Sequence, residues 1–182
     1  MRKTALVAML CGAFLVVGAA AYALINPNFT PVNLVEKADT ILLLKIGAVN
    51  DKGIATATVV KALKGKADKA QIIDLTKSAN AEHAKAVKEM IAANGDGPAL
   101  LFVGKGEQDE PVSKLHLGGK WVSLDKAEAA DTWEVDVIDS HMEATWAGGT
   151  NMLLKVTELL LKYPDTDVPV ACGGSWDEAI EL

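Results

Sequence analysis

The sequence predicts an α+β protein built from a small, mainly antiparallel β barrel or sheet and two main helices. Short apolar, β-branched runs alternate with turn residues over much of the chain, which is typical of antiparallel strands. One capped amphipathic segment interrupts these runs, and a second segment near the C-terminus is apolar over most of its circumference. A length of 182 residues suits one domain. We therefore expect a single folded unit whose C-terminal helix is largely buried.

The amino terminus has the pattern of an export signal. A basic start, Arg2-Lys3, precedes a run without charged residues from Ala5 to Ile25, and Ala21-Tyr22-Ala23 fits the small-residue rule for cleavage. We expect residues 1–23 to be removed as a signal peptide. The protein would then be secreted, periplasmic or part of the cell envelope. Because about 20 apolar residues span a bilayer, an uncleaved N-terminal membrane anchor is the alternative.

Composition and charge exclude several classes of protein. Half of the residues are apolar and 23% are charged, which argues against intrinsic disorder. The 24 acidic and 18 basic residues give a net charge of -6, which disfavours binding of nucleic acid through phosphate neutralisation. Without Arg2 and Lys3 the net charge is -8, so we expect membrane contact only if the signal is uncleaved. Cys172 would be the one cysteine of the cleaved chain, so stability must come from packing rather than an internal disulfide.

The domain is expected at 34–176, between a linker at 24–33 and a tail at 177–182. Its front half contains three predicted strands. Asn50-Asp51-Lys52-Gly53 is a turn between two β-branched runs, which predicts a hairpin. The predicted strands are Thr40–Val49, Ile54–Leu63 and Gln71–Leu75.

A helix and four further strands follow. Asn80 is a good N-cap and Asn94-Gly95 a good C-terminal stop, so a helix is predicted between them. Gly118-Gly119 predicts a tight hairpin. The predicted strands are Pro98–Val103, Lys114–Leu117, Trp121–Leu124 and Trp133–Val137.

The last predicted helix, Asn151–Tyr163, is capped by Thr150 and ends before Pro164. At about 3.6 residues per turn, most of its apolar side chains share one face: Met152, Leu153, Val156, Leu159, Leu160 and Tyr163. Leu154 and Leu161 fall nearly opposite, so we expect at least one of them to pack against a second layer or a partner chain. The interface candidates are Leu154, Leu161, Trp146 and Trp176.

Several motifs carry a resemblance to a known family. They are Trp146-Ala-Gly-Gly-Thr150-Asn-Met-Leu-Leu154, Tyr163-Pro-Asp-Thr-Asp-Val-Pro-Val170 with Trp176, Ala99-Leu-Leu-Phe-Val-Gly104 and Leu115-His-Leu-Gly-Gly-Lys-Trp121. With these motifs, most of the mature chain resembles the N-terminal module that precedes FG-GAP/VCBS-repeat propellers in secreted bacterial proteins. They are packing motifs, and the resemblance implies no activity. In that setting a propeller begins soon after Trp176, so the end at Leu182 predicts a short gene or a lost propeller. The expected partner is a protein or that missing propeller.

The front half has a second resemblance, carried by Leu34-Val-Glu-Lys-Ala-Asp-Thr-Ile41 and Ala57-Thr-Val-Val-Lys-Ala-Leu-Lys-Gly65. These segments are similar to secreted OB-type barrels of the netrin and metalloprotease-inhibitor kind, which implies an OB-like barrel here. Those inhibitors begin with a cysteine that ligates the protease zinc, whereas no cysteine lies near the expected mature start. The resemblance therefore does not extend to protease inhibition.

The acidic and histidine residues that cluster in the sequence are Asp136, Asp139, His141 and Glu143. Such side chains can bind a hard cation or assist acid–base catalysis. Their spacing matches neither an EF-hand loop nor a zinc helix, and Asp136 falls in the exposed register of a strand. We therefore expect a noncatalytic interaction or structural module without a cofactor. A hydrolase or metal-binding protein that uses this cluster is the alternative.

Overall fold

The computed structural model describes residues 30–67, 70–105, 111–129, 131–146 and 148–164, and these ranges contain the helices and strands of the fold. The predicted signal peptide, most of the predicted linker, Cys172 and Trp176 lie outside these ranges. In chain order the elements are α1 (Pro31–Lys37), β1 (Ala38–Ile46), β2 (Ile54–Lys64), β3 (Ala70–Asp74), α2 (Ala81–Asn94), β4 (Pro98–Lys105), β5 (Pro111–Leu117), β6 (Lys120–Lys126), β7 (Thr132–Ile138), α3 (Ser140–Thr145) and α4 (Thr150–Lys162).

The strands close into one barrel in the order β1-β2-β3-β7-β6-β5-β4. Neighbouring strands are antiparallel except β3 and β7, which run parallel and place Ile73 beside Trp133. β4 returns to pair with β1, with Leu101 beside Leu42. Closure removes exposed strand edges. The prediction of a small, mainly antiparallel, OB-like barrel in an α+β domain is confirmed.

The hairpin between β5 and β6 is the tight turn that the sequence predicts. Gly118 and Gly119 have φ angles of 58° and 80°. A two-residue turn with positive φ at both positions matches the twist of the flanking strands, and glycine adopts it without a steric penalty.

Strand β4 shows how the barrel is packed on both of its faces. Ala99 and Leu101 belong to the interior cluster, whereas Leu100 and Phe102 belong to a second cluster outside the barrel. All four side chains are buried. A strand buried on both faces reads as a continuous apolar run rather than an alternating one, which explains the composition of this segment.

Helix α2 packs against β5 and β7 at one end of the barrel. The Asn80 side chain accepts a hydrogen bond from the Glu82 N–H at 2.9 Å, and Gly95 ends the helix with a φ of 52°. Val87 and Ile91 lie one turn apart and join the interior cluster. This helix and both of its predicted caps are confirmed.

The other three helices cover the outer face of the barrel, and α1 packs against α4. Burial of one large apolar side chain contributes about 1.5–3 kcal/mol, so this outer layer is a major source of stability. Its buried residues are Leu34, Val35, Ala38, Ile41, Leu100, Phe102, Trp121, Met142, Trp146, Leu153, Val156 and Leu160.

Helix α1 begins at Pro31, inside the predicted linker. Proline suits the first helical position because its missing N–H has no helical partner there. The Thr30 hydroxyl accepts a hydrogen bond from the Asn33 N–H at 3.3 Å. Pro31 is itself buried, so the folded domain starts at least three residues before the predicted boundary at Leu34.

The rotation of helix α4 differs from the prediction. Its buried side includes Leu153, Val156 and the fully buried Thr157. Leu159 and Tyr163, which the sequence places on the buried face, are 40% and 47% exposed. Apolar residues on several sides of the helix leave its rotation undetermined by hydrophobicity alone, and the outer face of the barrel selects the side that contains Thr157.

The start of helix α4 also differs from the prediction. Gly149 occupies the N-cap position and makes no side-chain cap. Thr150 is the first helical residue instead, and its buried hydroxyl is directed to β5. The predicted N-cap is therefore wrong by one residue, because the Thr150 hydroxyl has a tertiary partner.

Candidate functional site

A partly buried ion pair joins strands β5 and β6 to the start of helix α3. Lys114 and Ser123 are paired across the two strands, and the Lys114 ammonium donates to the Ser123 hydroxyl at 2.6 Å and to Asp139 Oδ2 at 2.8 Å. The side chains of Lys114 and Asp139 are 11% and 15% exposed. The other oxygen of Asp139 accepts from the N–H groups of His141 and Met142, each at 3.2 Å. Asp139 therefore caps α3 and anchors it to the barrel.

This arrangement does not activate Ser123 as a nucleophile. Burial alone raises the pKa of Asp139, but the hydrogen bond and charge of Lys114, with the N–H groups of Met142 and His141, outweigh burial and hold that pKa below its usual value. A carboxylate with a lowered pKa is a weak base. Lys114 gives Ser123 a hydrogen-bond donor rather than a base. The three side chains act as a clamp.

His116 is a second polar group on the outer face of the barrel, and it is fully buried. Its Nδ1 atom lies 3.0 Å from the Thr150 hydroxyl, and its ring meets the edge of Trp121 with centroids 4.6 Å apart. Its Nε2 atom has no hydrogen-bond partner among the described residues. Burial lowers the pKa of His116 from 6.5 to about 4, so the ring is neutral near pH 7. It joins β5 to the first residue of α4.

The structure does not bring the predicted acidic and histidine cluster together. Asp136 and His141 are exposed, and Asp139 is held in the clamp. Glu143 accepts from Lys120 at 2.9 Å. Within the described ranges, no group of three or more His, Cys, Asp or Glu side chains could hold a metal ion. The geometry therefore gives no support to a metal or hydrolytic centre at these residues.

Three of the four predicted interface candidates pack within the fold of the described residues. Leu154 and Leu161 are half-buried and pack against the outer cluster. Trp146 is buried, and its carbonyl accepts from the Trp121 indole N–H at 3.3 Å. A Cβ added to Gly148 would lie 2.8 Å from Cζ2 of Trp146, so the chain passes close to the ring. Trp176 lies outside the described residues.

Two large apolar side chains are exposed at the C-terminal end of α4: Leu159 in its last turn and Tyr163, the C-cap residue that follows it. The Tyr163 N–H donates to the Leu159 carbonyl at 2.9 Å, so the two residues lie one turn apart. The Lys162 ammonium lies 4.9 Å from the centroid of the Tyr163 ring. The helix is joined to β2 by an exposed ion pair between Lys61 and Glu158 at 2.8 Å. We call Leu159 and Tyr163 the α4 patch.

A cavity of about 110 Å³ opens at the end of the barrel opposite α2, and we call it the mouth cavity. Its polar lining consists of Thr40, Lys66, Gln71, Lys126 and Asp131, and its apolar lining of Leu42, Ala67, Val103 and Trp133. The Trp133 indole N–H donates to the Gln71 side-chain oxygen at 2.8 Å. Sequence reasoning missed this site because its residues come from several elements. The one visible signal was Gln71, a polar side chain in the inward register between apolar neighbours.

Comparison with family models, curated proteins and solved structures returned no match for this chain. The resemblances to the FG-GAP/VCBS-associated module and to netrin-type barrels therefore stay predictions. No helix within the described ranges is long and apolar enough to cross a bilayer.

Proposed function

We propose that this chain is an exported, noncatalytic interaction or structural module that binds a protein partner through the α4 patch. The observation that carries the proposal is the exposure of Leu159 and Tyr163, 40% and 47%, at the C-terminal end of a firmly held helix. Tyrosine is enriched among the residues that dominate binding energy at protein interfaces. Its ring contributes a large contact area while its hydroxyl remains able to bond to water or a partner.

The attachment of α4 to the barrel supports this role. Leu153, Val156 and Leu160 fix its inner side in the outer cluster, and Thr150 is bonded to His116. A rigid helix presents its exposed side chains without a further loss of conformational freedom on binding. The α4 patch is therefore preorganised.

The functional groups of the described residues favour this role over the hydrolase or metal-binding alternative. Asp139 is occupied by Lys114 and by the start of α3, and Glu143 is paired with Lys120. His116 is buried and neutral near pH 7, and it lies in the interface between β5 and α4. Each of these groups has a structural task that accounts for its position.

The proposal that the chain is exported rests on its amino terminus. The basic start at Arg2-Lys3, the uncharged run and Ala21-Tyr22-Ala23 favour a secreted, periplasmic or envelope location. An N-terminal membrane anchor is the alternative if the signal is uncleaved. The high proportion of acidic residues disfavours a nucleic-acid partner.

Site-specific photo-crosslinking in cells that export the chain tests the partner surface. The photoreactive residue p-benzoylphenylalanine replaces Tyr163, and in a control it replaces Glu89 on the exposed side of α2. We expect a discrete crosslinked product from position 163, none from position 89, and loss of the product when Leu159→Glu is added. Absence of a product at position 163, or a product that survives Leu159→Glu, would contradict the α4 patch as the binding surface.

A further inference from the structure

We propose that the mouth cavity binds a small carboxylate that carries a hydrogen-bond donor beside its carboxyl group, such as an α-amino or α-hydroxy acid. This site is separate from the α4 patch, and the inference does not depend on the proposed function. The size of the cavity, the charged side chains that line it and its apolar wall support this inference.

The size of the cavity limits the ligand. Its volume of about 110 Å³ is room for several water molecules. A ligand of a few non-hydrogen atoms fits within it. The buried Trp133 and Gln71 lie at the inner side of the cavity, and the exposed Lys66 and Lys126 lie at its entrance.

The charges that line the cavity do not neutralise each other. Lys66 and Lys126 form no ion pair within the described residues, and neither is paired with Asp131. The Lys126 ammonium instead lies 5.9 Å from the centroid of the Trp133 ring. Among the described lining residues, two ammonium groups and one carboxylate give a net charge of +1. An anionic group between the lysines is therefore favoured by electrostatics.

The remaining lining determines what else the ligand carries. Among the described residues, the Asp131 carboxylate accepts one long hydrogen bond, at 3.5 Å, from the Gln71 side-chain amide. A hydroxyl or ammonium group on the ligand would supply a second, closer donor. Leu42 and Val103 form an apolar wall that suits a short hydrocarbon group. An inorganic anion would use the lysines and leave both Asp131 and the wall without a partner.

Three ligands of equal carbon number separate these contributions. Propionate carries only the carboxylate, L-lactate adds a hydroxyl group, and L-alanine adds an ammonium group. Each is titrated into the ¹⁵N-labelled protein at low ionic strength, and the Trp133 indole N–H is followed by NMR. We expect L-alanine and L-lactate to shift this signal with dissociation constants on the order of 1 mM, and propionate to bind more weakly.

Substitutions in the lining measure how much each charged side chain contributes to ligand affinity. Lys66→Gln and Lys126→Gln should each weaken all three ligands about fivefold, the effect of one partly exposed ion pair. Asp131→Asn should abolish the preference for L-alanine over propionate. Asparagine tolerates the left-handed φ of 57° at this position, so the variant retains the backbone. Lys155→Gln, on the exposed side of α4, is the control for total charge and should change nothing.

The outcomes are distinguishable. Two results together support the inference. The ligands shift the Trp133 signal and bind more weakly to the lysine variants, and Asp131→Asn binds L-alanine and propionate equally. No shift with any of the three ligands overturns it. Binding that is unchanged in the lysine variants, or equal for propionate and L-alanine in the wild type, also overturns it.

Discussion

The Nδ1 atom of His116 lies 3.0 Å from the hydroxyl of Thr150, so the first residue of α4 is hydrogen-bonded to the outside of β5. The contact holds the helix that presents the α4 patch, and it is fully buried on the histidine side. An ionisable group in this position makes the attachment of the helix sensitive to pH.

Stability should fall with acidification through His116. Its pKa is about 4 in the folded protein and 6.5 ordinarily, so unfolding takes up a proton between these values. The free energy of unfolding is therefore unaffected by this group above pH 6.5, and it falls by up to about 3 kcal/mol as the pH falls towards 4. Urea unfolding at pH 7 and pH 4.5 measures it. In His116→Phe, which cannot titrate, the loss over this range should be smaller; an equal loss would contradict the assignment.

The clamp of Lys114 and Asp139 should be strongly coupled. Asp139→Asn removes the charge that Asp139 places 2.8 Å from the nearly buried Lys114 ammonium, and it should destabilise the domain by about 2–4 kcal/mol. The double variant with Lys114→Met should lose about 1–3 kcal/mol less than the sum of the single losses. Chemical denaturation of the four proteins checks this. The exposed pair Lys61 and Glu158 is the matched control, with an expected coupling below about 1 kcal/mol. Additive losses at the clamp would show that the ion pair is not the source.

Alanine substitutions at two adjacent leucines of α4 should have very different effects on stability. Leu160 is buried in the outer cluster and Leu159 is 40% exposed. Leu160→Ala should cost about 2–5 kcal/mol because it opens a cavity, whereas Leu159→Ala should stay within about 0.5 kcal/mol. Thermal or urea unfolding distinguishes them. Comparable losses would mean that the helix is rotated as the sequence pattern alone suggests, with both leucines on its buried face.

Two glycines offer a test of close backbone packing. A Cβ on Gly104 would overlap the Lys37 carbonyl oxygen, whereas one on Gly149 would meet nothing. Gly104→Ala should therefore destabilise the domain by about 1–3 kcal/mol, and Gly149→Ala by less than about 1 kcal/mol, the cost of replacing a glycine N-cap by alanine. The difference in their unfolding midpoints is the measurement. Equal midpoints would show that β4 can move away from the end of α1.

The exported protein should begin at Leu24. Cleavage after Ala21-Tyr22-Ala23 removes the basic start and the uncharged run together. Intact-mass spectrometry of the protein from the exporting cell reads this directly. A mass that includes Met1 would favour the membrane anchor instead.

Local signals predicted the elements whose form depends on few residues. Asn80 and Gly95 mark α2, and Gly118-Gly119 marks the β5–β6 hairpin, because caps and tight turns are determined by neighbouring backbone groups. The class of the fold followed from these elements and the strand pattern. Helix α1 was missed because Pro27 and Pro31 suggested a linker, although Pro31 at the first helical position is compatible with a helix.

Long-range relationships could not be predicted from the same signals. The parallel pairing of Ile73 with Trp133 joins strands that are far apart in sequence. The rotation of α4 depends on which side the barrel accepts, and Leu159 and Leu160 are indistinguishable in hydrophobicity. The predicted acidic cluster shows the opposite case. Residues close in sequence, such as Asp139 and Glu143, pair with different lysines, Lys114 and Lys120.

The double burial of β4 has a consequence for the unfolded chain. Its segment Ala99–Val103 is five apolar residues without a charge, a composition that stacks readily into intermolecular sheets. In the folded domain, β1 and β5 pair with both sides of this strand while the interior and the outer helices cover its faces. Any state in which the barrel is open exposes the segment, with Pro98 and Lys105 as flanking residues that oppose aggregation. Pairing of β4 with β1 and β5 thus removes from the surface the segment that is most prone to intermolecular sheet formation.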